Sequence, residues 1–108
     1  MGGAKRNPSV TFRISRKFLE DIEAYKSQKD IIKKIAKALA FLEANPHHPG
    51  LKLERIVNDP GAWSIRVDRR YRISFDPDKF LASGAPDWSG SVILLRVLSR
   101  DDLYKRPR

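Results

Sequence analysis

Arginine is the residue type that this sequence sets where chemistry is possible. The stretch from Ala62 to Phe75 reads A-W-S-I-R-V-D-R-R-Y-R-I-S-F and puts Arg66 and Arg72 on one side of an alternating pattern, with Arg69 and Arg70 in the break between its halves. A guanidinium offers a fork of N–H donors that fits phosphate oxygens. Lys52, Arg100 and Tyr104 extend the candidate cluster. Such a set suits phosphate binding, with Lys52, Arg69 and Arg70 on an RNA backbone, and it suits phosphodiester cleavage. RNA carries its own nucleophile, the 2′-hydroxyl. A protein must align it, take its proton, neutralise the phosphorane charge and protonate the leaving 5′-oxygen. Arginines supply the charge stabilisation, and a tyrosine can act as acid or orient a base. The scheme calls for no metal and no cofactor. Its base is missing from the sequence reading, because no histidine or glutamate stands out on this face. On the hairpin alone, solvated edge arginines account for the pattern equally well.

Other chemistries find less support. His47 and His48 are the only histidines and are adjacent, so they cannot share a helical face; turn and loop packing is their expected role rather than metal binding. Cysteine is absent, which removes disulfides, thiolate nucleophiles and cysteine zinc sites. There is no Gly-rich phosphate loop and no Gly-flanked serine nucleophile, and a Ser-His-Asp triad has no support. The 108 residues suit one domain, 1–108, and 41% hydrophobic content is enough for a core. No apolar run approaches the ~20 residues of a membrane helix, and the first residues, M-G-G-A-K-R-N-P, lack a signal-peptide core. A cytoplasmic location without membrane contact is the simplest expectation. The formal charge of +9 favours a polyanion or an acidic protein as partner.

The elements that must position these side chains follow from periodicity. Residues 1 to 8 read as a flexible lead. Ser9 to Ile14 alternates as a strand, with Val10, Phe12 and Ile14 on one face. Ser15 caps a first helix that reaches about Lys26, with a stripe of Phe18, Leu19, Ile22 and Tyr25. Asp30 is placed to cap a second helix, Ile31 to Ala44, that buries Ile31, Ile32, Ile35, Ala38, Leu39 and Leu42. Lys33, Lys34 and Lys37 fall off that face and read as solvated, a partner-binding face being the sharper alternative. Asn45-Pro46-His47-His48-Pro49-Gly50 stops the helix. Leu51 to Val57 follows as a strand, then a turn at Asn58 to Gly61, then the central hairpin. The connection from Asp76 to Gly90 exceeds a usual hairpin loop of ~2–5 residues. Trp88 within it is expected to cap an edge of the core, with base stacking or partner contact as the alternative. Ser91 to Val97 is apolar on both sides, as a central strand is. The expected fold is α+β, in the order β-α-α-β-β-β-β. Two helices cover one face of an antiparallel sheet, and the other face is open and basic.

Three segments carry a resemblance: N-P-H-H-P-G-L-K-L (45–53), W-S-I-R-V-D-R-R-Y-R-I-S-F (63–75) and V-I-L-L-R-V-L-S-R-D-D-L-Y (92–104). Together they resemble the RelE/ParE superfamily of toxins from bacterial type II toxin–antitoxin pairs, over nearly the whole chain. In the superfamily's RNase branch the resemblance implies an mRNA endonuclease, commonly acting on the ribosome, that leaves a 2′,3′-cyclic phosphate and is held inactive by a cognate antitoxin. It places Arg72 on the scissile phosphate, Arg66 where RelE-type members carry a functional lysine, Arg100 on transition-state charge, and Tyr104 as the aromatic that orients the substrate. Ser64 departs from the pattern, standing where RelE-type toxins have a lysine proposed as base, and Arg100 replaces the histidine of other branches. In the ParE branch the resemblance implies binding to DNA gyrase without nuclease chemistry. A non-catalytic RNA-binding domain on the same fold is a third reading.

Overall fold

Ser15 both ends the first strand and starts the first helix, and the fold follows from there. The computed structural model describes residues 10–108; the lead expected at residues 1–8, and Ser9, lie outside them. Thr11–Ile14 forms β1, Arg16–Tyr25 α1, Lys29–Ala44 α2, Glu54–Ile56 β2, Asp59–Arg66 β3, Tyr71–Pro77 β4, Ser91–Ser99 β5 and Arg100–Lys105 α3. The Ser15 hydroxyl accepts from the Phe18 N–H at 3.1 Å and donates to the Leu95 carbonyl at 3.0 Å, so one side chain caps α1 and anchors it to β5.

The sheet runs β1-β5-β4-β3-β2. From β2 to β5 it is antiparallel, as expected, but β1 lies parallel to β5, with Phe12 opposite Val92 and Ile14 opposite Leu94. The sheet is therefore mixed. The two helices carry the chain from β1 at one edge to β2 at the other, and the antiparallel strands that follow bring β5 back beside β1 running the same way; no hairpin joins this pair, so it is free to be parallel. In the central hairpin Trp63 faces Phe75 and Ile65 faces Ile73, with Ser64 opposite Ser74 and Arg66 opposite Arg72. The apolar set packs under α1 and α2 in one core with Val10, Phe18, Ile35, Ala38, Leu42, Leu51, Val92, Leu94 and Val97. A buried aliphatic or aromatic side chain of this kind contributes ~1.5–3 kcal/mol. Asp21 of α1 ties that layer to β5, accepting two bonds of 2.9 Å from Arg96 and one of 3.0 Å from the Val97 N–H.

Several local expectations give way. Leu19 is exposed rather than part of the α1 stripe, because Phe18 and Asp21 already occupy the buried side. Asp30 sits inside the first turn of α2; the capping position is Gln28, whose side chain makes no capping bond. Leu51 belongs to a 3-10 turn, Pro49–Leu51, so β2 begins only at Glu54. The turn before β3 shortens to Val57 and Asn58, with Asp59 already in the strand. His48 completes the 3-10 turn by accepting the Gly50 N–H at 3.0 Å, and it stacks on Phe41 at 4.1 Å. Trp88 lies against Phe75 and the edge of His47, capping the core as expected.

The residues after β5 are helical. Ser99 accepts the Asp102 N–H and starts α3. This helix and the residues after it cover part of the second sheet face over a small core of Ile56, Ala62 and Leu95, flanked by Ile93 and Tyr104. Leu103 is fully buried. The second face therefore stays open only beyond α3, near Lys52, Arg66 and Arg69.

Candidate functional site

The open part of that face is a cleft of about 300 Å³ lined by Lys52, Glu54, Arg66, Asp68, Arg69, Arg72 and Arg100. Its floor is the β3–β4 ladder, whose pairing sets Arg66 beside Arg72. Like charges directly opposite each other destabilise a sheet pair, so this pairing stores repulsion that an anion would relieve. Arg66 is held by its Nε donating to the Asp68 carbonyl at 3.2 Å. Arg72 is only 4% exposed. Its Nε donates to Ser64 Oγ at 2.9 Å, and its Nη2 donates to the carbonyls of Lys52 at 2.6 Å and Ser64 at 3.2 Å. Burial pulls this guanidinium below its ordinary value, while Tyr104 and Glu54 raise it. Arg72 thus braces the strand ends as well as lining the cleft.

Beside Arg72 a hydrogen-bond chain leads to a carboxylate. The Tyr104 hydroxyl donates to Glu54 Oε2. Its one proton being used there, Tyr104 accepts from Ser64 Oγ, 3.1 Å away. The order is therefore Arg72, Ser64, Tyr104, Glu54, each group donating to the next. Burial and the bond to Glu54 push the Tyr104 phenol up, against the opposing pull of Ser64 and Arg72, so it is a donor across the physiological range. Glu54 also lies 3.4 Å from Arg100 Nη2 and 3.8 Å from Arg72 Nη2. Arg100 sits 5.1 Å over the Tyr104 ring.

The residues expected from sequence separate accordingly. Lys52, Arg66, Arg69, Arg72 and Arg100 converge on the cleft. Tyr104 does not line it but holds Glu54 from behind. Arg70 lies outside it, in the neighbouring groove with Lys34, Tyr71 and Ser99. Among the described residues no group of three or more His, Asp or Glu side chains is set as metal ligands would be, and no helix is long and apolar enough to cross a membrane.

Comparison with known proteins gives this geometry a family. Residues 12–104 match the ParE toxin of type II toxin–antitoxin systems, parDE. The chain belongs to the ParE toxin family. Its place is thus the toxin of a toxin–antitoxin pair, with an antitoxin as partner. Solved structures agree on the fold. A YoeB/ParE toxin from Agrobacterium tumefaciens superposes with a TM-score of 0.65 at 14% identity, over 84% of this chain and 99% of that one. YafQ in the E. coli DinJ–YafQ toxin–antitoxin complex gives 0.66 at 10% identity, over 88% and 97%. A YoeB dimer from Staphylococcus aureus gives 0.60 at 19%, over 83% and 95%. No curated protein sequence matches this toxin.

One residue of the cleft, Glu54, is not marked out by the sequence as part of a site. It brings a carboxylate to the cleft, and Ser64, which the resemblance marks only as a departure from a lysine, links it to Arg72 through Tyr104. The alternation of L-K-L-E put Glu54 on the same face as Lys52. What the sequence did not carry is the register that sets Glu54 opposite Ser64.

Proposed function

We propose that this toxin is a metal-independent endoribonuclease that cleaves mRNA, on the ribosome, by attack of the RNA's own 2′-hydroxyl, and that its antitoxin holds it inactive. The observation that carries this reading is Glu54, a carboxylate positioned by Tyr104 and surrounded by Arg66, Arg72, Arg100 and Lys52. Glu54 takes the 2′-hydroxyl proton as the oxygen bonds to phosphorus. Arg66, Arg100 and the free edge of Arg72 neutralise the charge that builds on the phosphorane oxygens. The bond to the 5′-oxygen breaks, and the proton held by Glu54 returns to it through water. The products are a 2′,3′-cyclic phosphate and a 5′-hydroxyl. Lys52 and Arg69 hold the RNA backbone, and Tyr104 keeps Glu54 in place.

The test is inducible expression of the wild type beside Glu54→Gln, with growth followed and mRNA ends mapped. Glutamine keeps an acceptor for Tyr104 but cannot take a proton. The expected result is growth arrest with new cyclic-phosphate ends in the wild type, and loss of about a hundredfold or more of the cuts in the variant. Cuts that persist unchanged in Glu54→Gln would remove the general-base assignment.

A second reading is binding to DNA gyrase without chemistry. It is favoured by the ParE family match and by the engagement of Arg72 with backbone carbonyls. Arrest with intact mRNA and inhibited supercoiling, unaffected by Glu54→Gln, would select it.

A further inference from the structure

The cleft is not isolated. A second, larger groove of about 780 Å³ opens beside it, lined among others by Lys34, Asp68, Arg69, Arg70, Tyr71 and Arg100. Asp68, Arg69 and Arg100 belong to both, so the two are continuous. Their shared bank is stiff. Asp68 Oδ1 accepts the N–H groups of Arg70 and Tyr71, each at 2.8 Å, and the Arg100 N–H donates to the Arg70 carbonyl at 2.8 Å. These bonds fix the β3–β4 loop against the start of α3.

The groove carries the cations Lys34, Arg69, Arg70 and Arg100 against the carboxylates Asp68 and Asp101. Asp68 is already committed to the loop N–H groups and to Lys34. Among the described residues, the guanidinium heads of Arg69 and Arg70 have no hydrogen-bond or ion-pair partner, and both residues are exposed. Tyr71 adds an aromatic ring, held edge-on to Tyr25 at 5.5 Å. Free guanidinium groups beside an aromatic ring suit the backbone and bases of single-stranded nucleic acid. Ile31 is the only aliphatic residue in the lining, which leaves little for the apolar face of a protein helix.

We infer that this groove carries the single-stranded RNA flanking the phosphate held in the cleft, with Arg70 and Lys34 on its backbone and Tyr71 against a base. The inference rests on the RNase reading for the position of the scissile phosphate, but it concerns binding and is tested by binding. Arg70 and Lys34 line the groove and not the cleft, so Lys34→Ala/Arg70→Ala separates the two. Two probes are used, a dinucleotide and an octanucleotide of RNA, both 2′-O-methylated to prevent cleavage. Their affinities are measured by fluorescence anisotropy from about 50 to 200 mM KCl. Circular dichroism melts establish that the variant is folded.

The expected result depends on length. The dinucleotide binds the variant within about twofold of the wild type, while the octanucleotide binds about tenfold more weakly. Its slope of log affinity against log salt falls by about 1.4, which is about 0.7 for each lost single-strand phosphate contact. Equal losses for both probes, or none for the octanucleotide, would overturn the inference. An acidic peptide of matched length that outcompetes the octanucleotide and suffers more from the double substitution would assign the groove to a protein partner instead. The outcome is independent of the cleavage test. Length-dependent loss in a protein that makes no cuts leaves the track standing and removes the nuclease reading; cuts that depend on Glu54 without length dependence do the reverse.

Discussion

At the scale of the residue, Arg72 and Glu54 are bound into one network but do different work. Removing Arg72 takes this donor from the buried Ser64 carbonyl and from the half-buried Lys52 carbonyl. Arg72→Ala is therefore expected to destabilise the fold by about 2–4 kcal/mol, read from denaturant unfolding. Loss of toxicity in that variant alone would say nothing of phosphate contact, and an unfolding midpoint equal to wild type would refute the bracing role. Glu54→Gln should keep the wild-type midpoint while losing function. Tyr104 offers a separate check. Its phenol is raised by burial and by donation to Glu54. A raised folded value means that its contribution to stability is complete below the unfolded value of about 10 and is lost as pH rises through the higher folded one. Ultraviolet titration of the folded protein should show a tyrosine ionising late that is missing in Tyr104→Phe. Tyr25, raised mainly by its burial, titrates late as well and stays in both. A difference spectrum without a late component would show that burial and the bond to Glu54 do not together outweigh the pull of Ser64 and Arg72 in solution.

At the scale of the element, the placement of α3 decides whether the site is assembled. This helix is short, Arg100–Lys105, and brings both Arg100 and Tyr104. Isolated helices of that length are not stable in water, so the strands beneath must hold it. Leu103 is buried under it, and Ser74 Oγ donates to the Pro107 carbonyl at 2.6 Å. Arg108 then reaches across to Asp59 of β3 and Asp76 of β4, with Nε to Asp59 Oδ2 at 2.5 Å and Nη1 to Asp76 Oδ2 at 2.6 Å. Both carboxylates raise the Arg108 guanidinium above its ordinary value. The clamp is half exposed, so salt screens it. Arg108→Ala is expected to speed hydrogen exchange of the α3 amides severalfold while leaving β4 and β5 protected, an effect that 1 M salt reproduces in the wild type. Unchanged α3 exchange would mean that Leu103 and Ser74 hold the helix unaided. This layer was poorly legible in the sequence. The hairpin announced itself because Trp63, Ile65, Ile73 and Phe75 alternate over a long stretch, and α2 because its apolar positions repeat with helical spacing. The three residues of β2 and the six of α3 are too few to show a period. What positions them is contact with distant strands. Glu54 was missed for that reason: its role depends on pairing with Ser64 and on Tyr104, fifty residues later in the chain.

At the scale of the whole molecule, the net charge of +9 is gathered partly into one place. The cleft holds Lys52, Arg66, Arg69, Arg72 and Arg100 against Glu54 and Asp68. Folding brings Arg66 and Arg72 opposite each other across the ladder. In the unfolded chain these charges are spread along the sequence and hydrated, so the repulsion belongs mainly to the native state. An oxyanion that binds the native cleft therefore stabilises it by mass action. Sulfate and phosphate should raise the melting temperature more than chloride at equal ionic strength. Part of any such rise is general, because these ions are excluded from protein surfaces. The cleft's own share is the part that disappears in Arg66→Gln, which removes one cation of the pair and leaves the buried bonds of Arg72 intact. Relief of the like-charge pair should also make Arg66→Gln at least as stable as wild type in chloride alone. A sulfate increment equal in wild type and Arg66→Gln would mean that the cleft does not gather oxyanions, and the phosphate-binding role of Arg66 would fall with it.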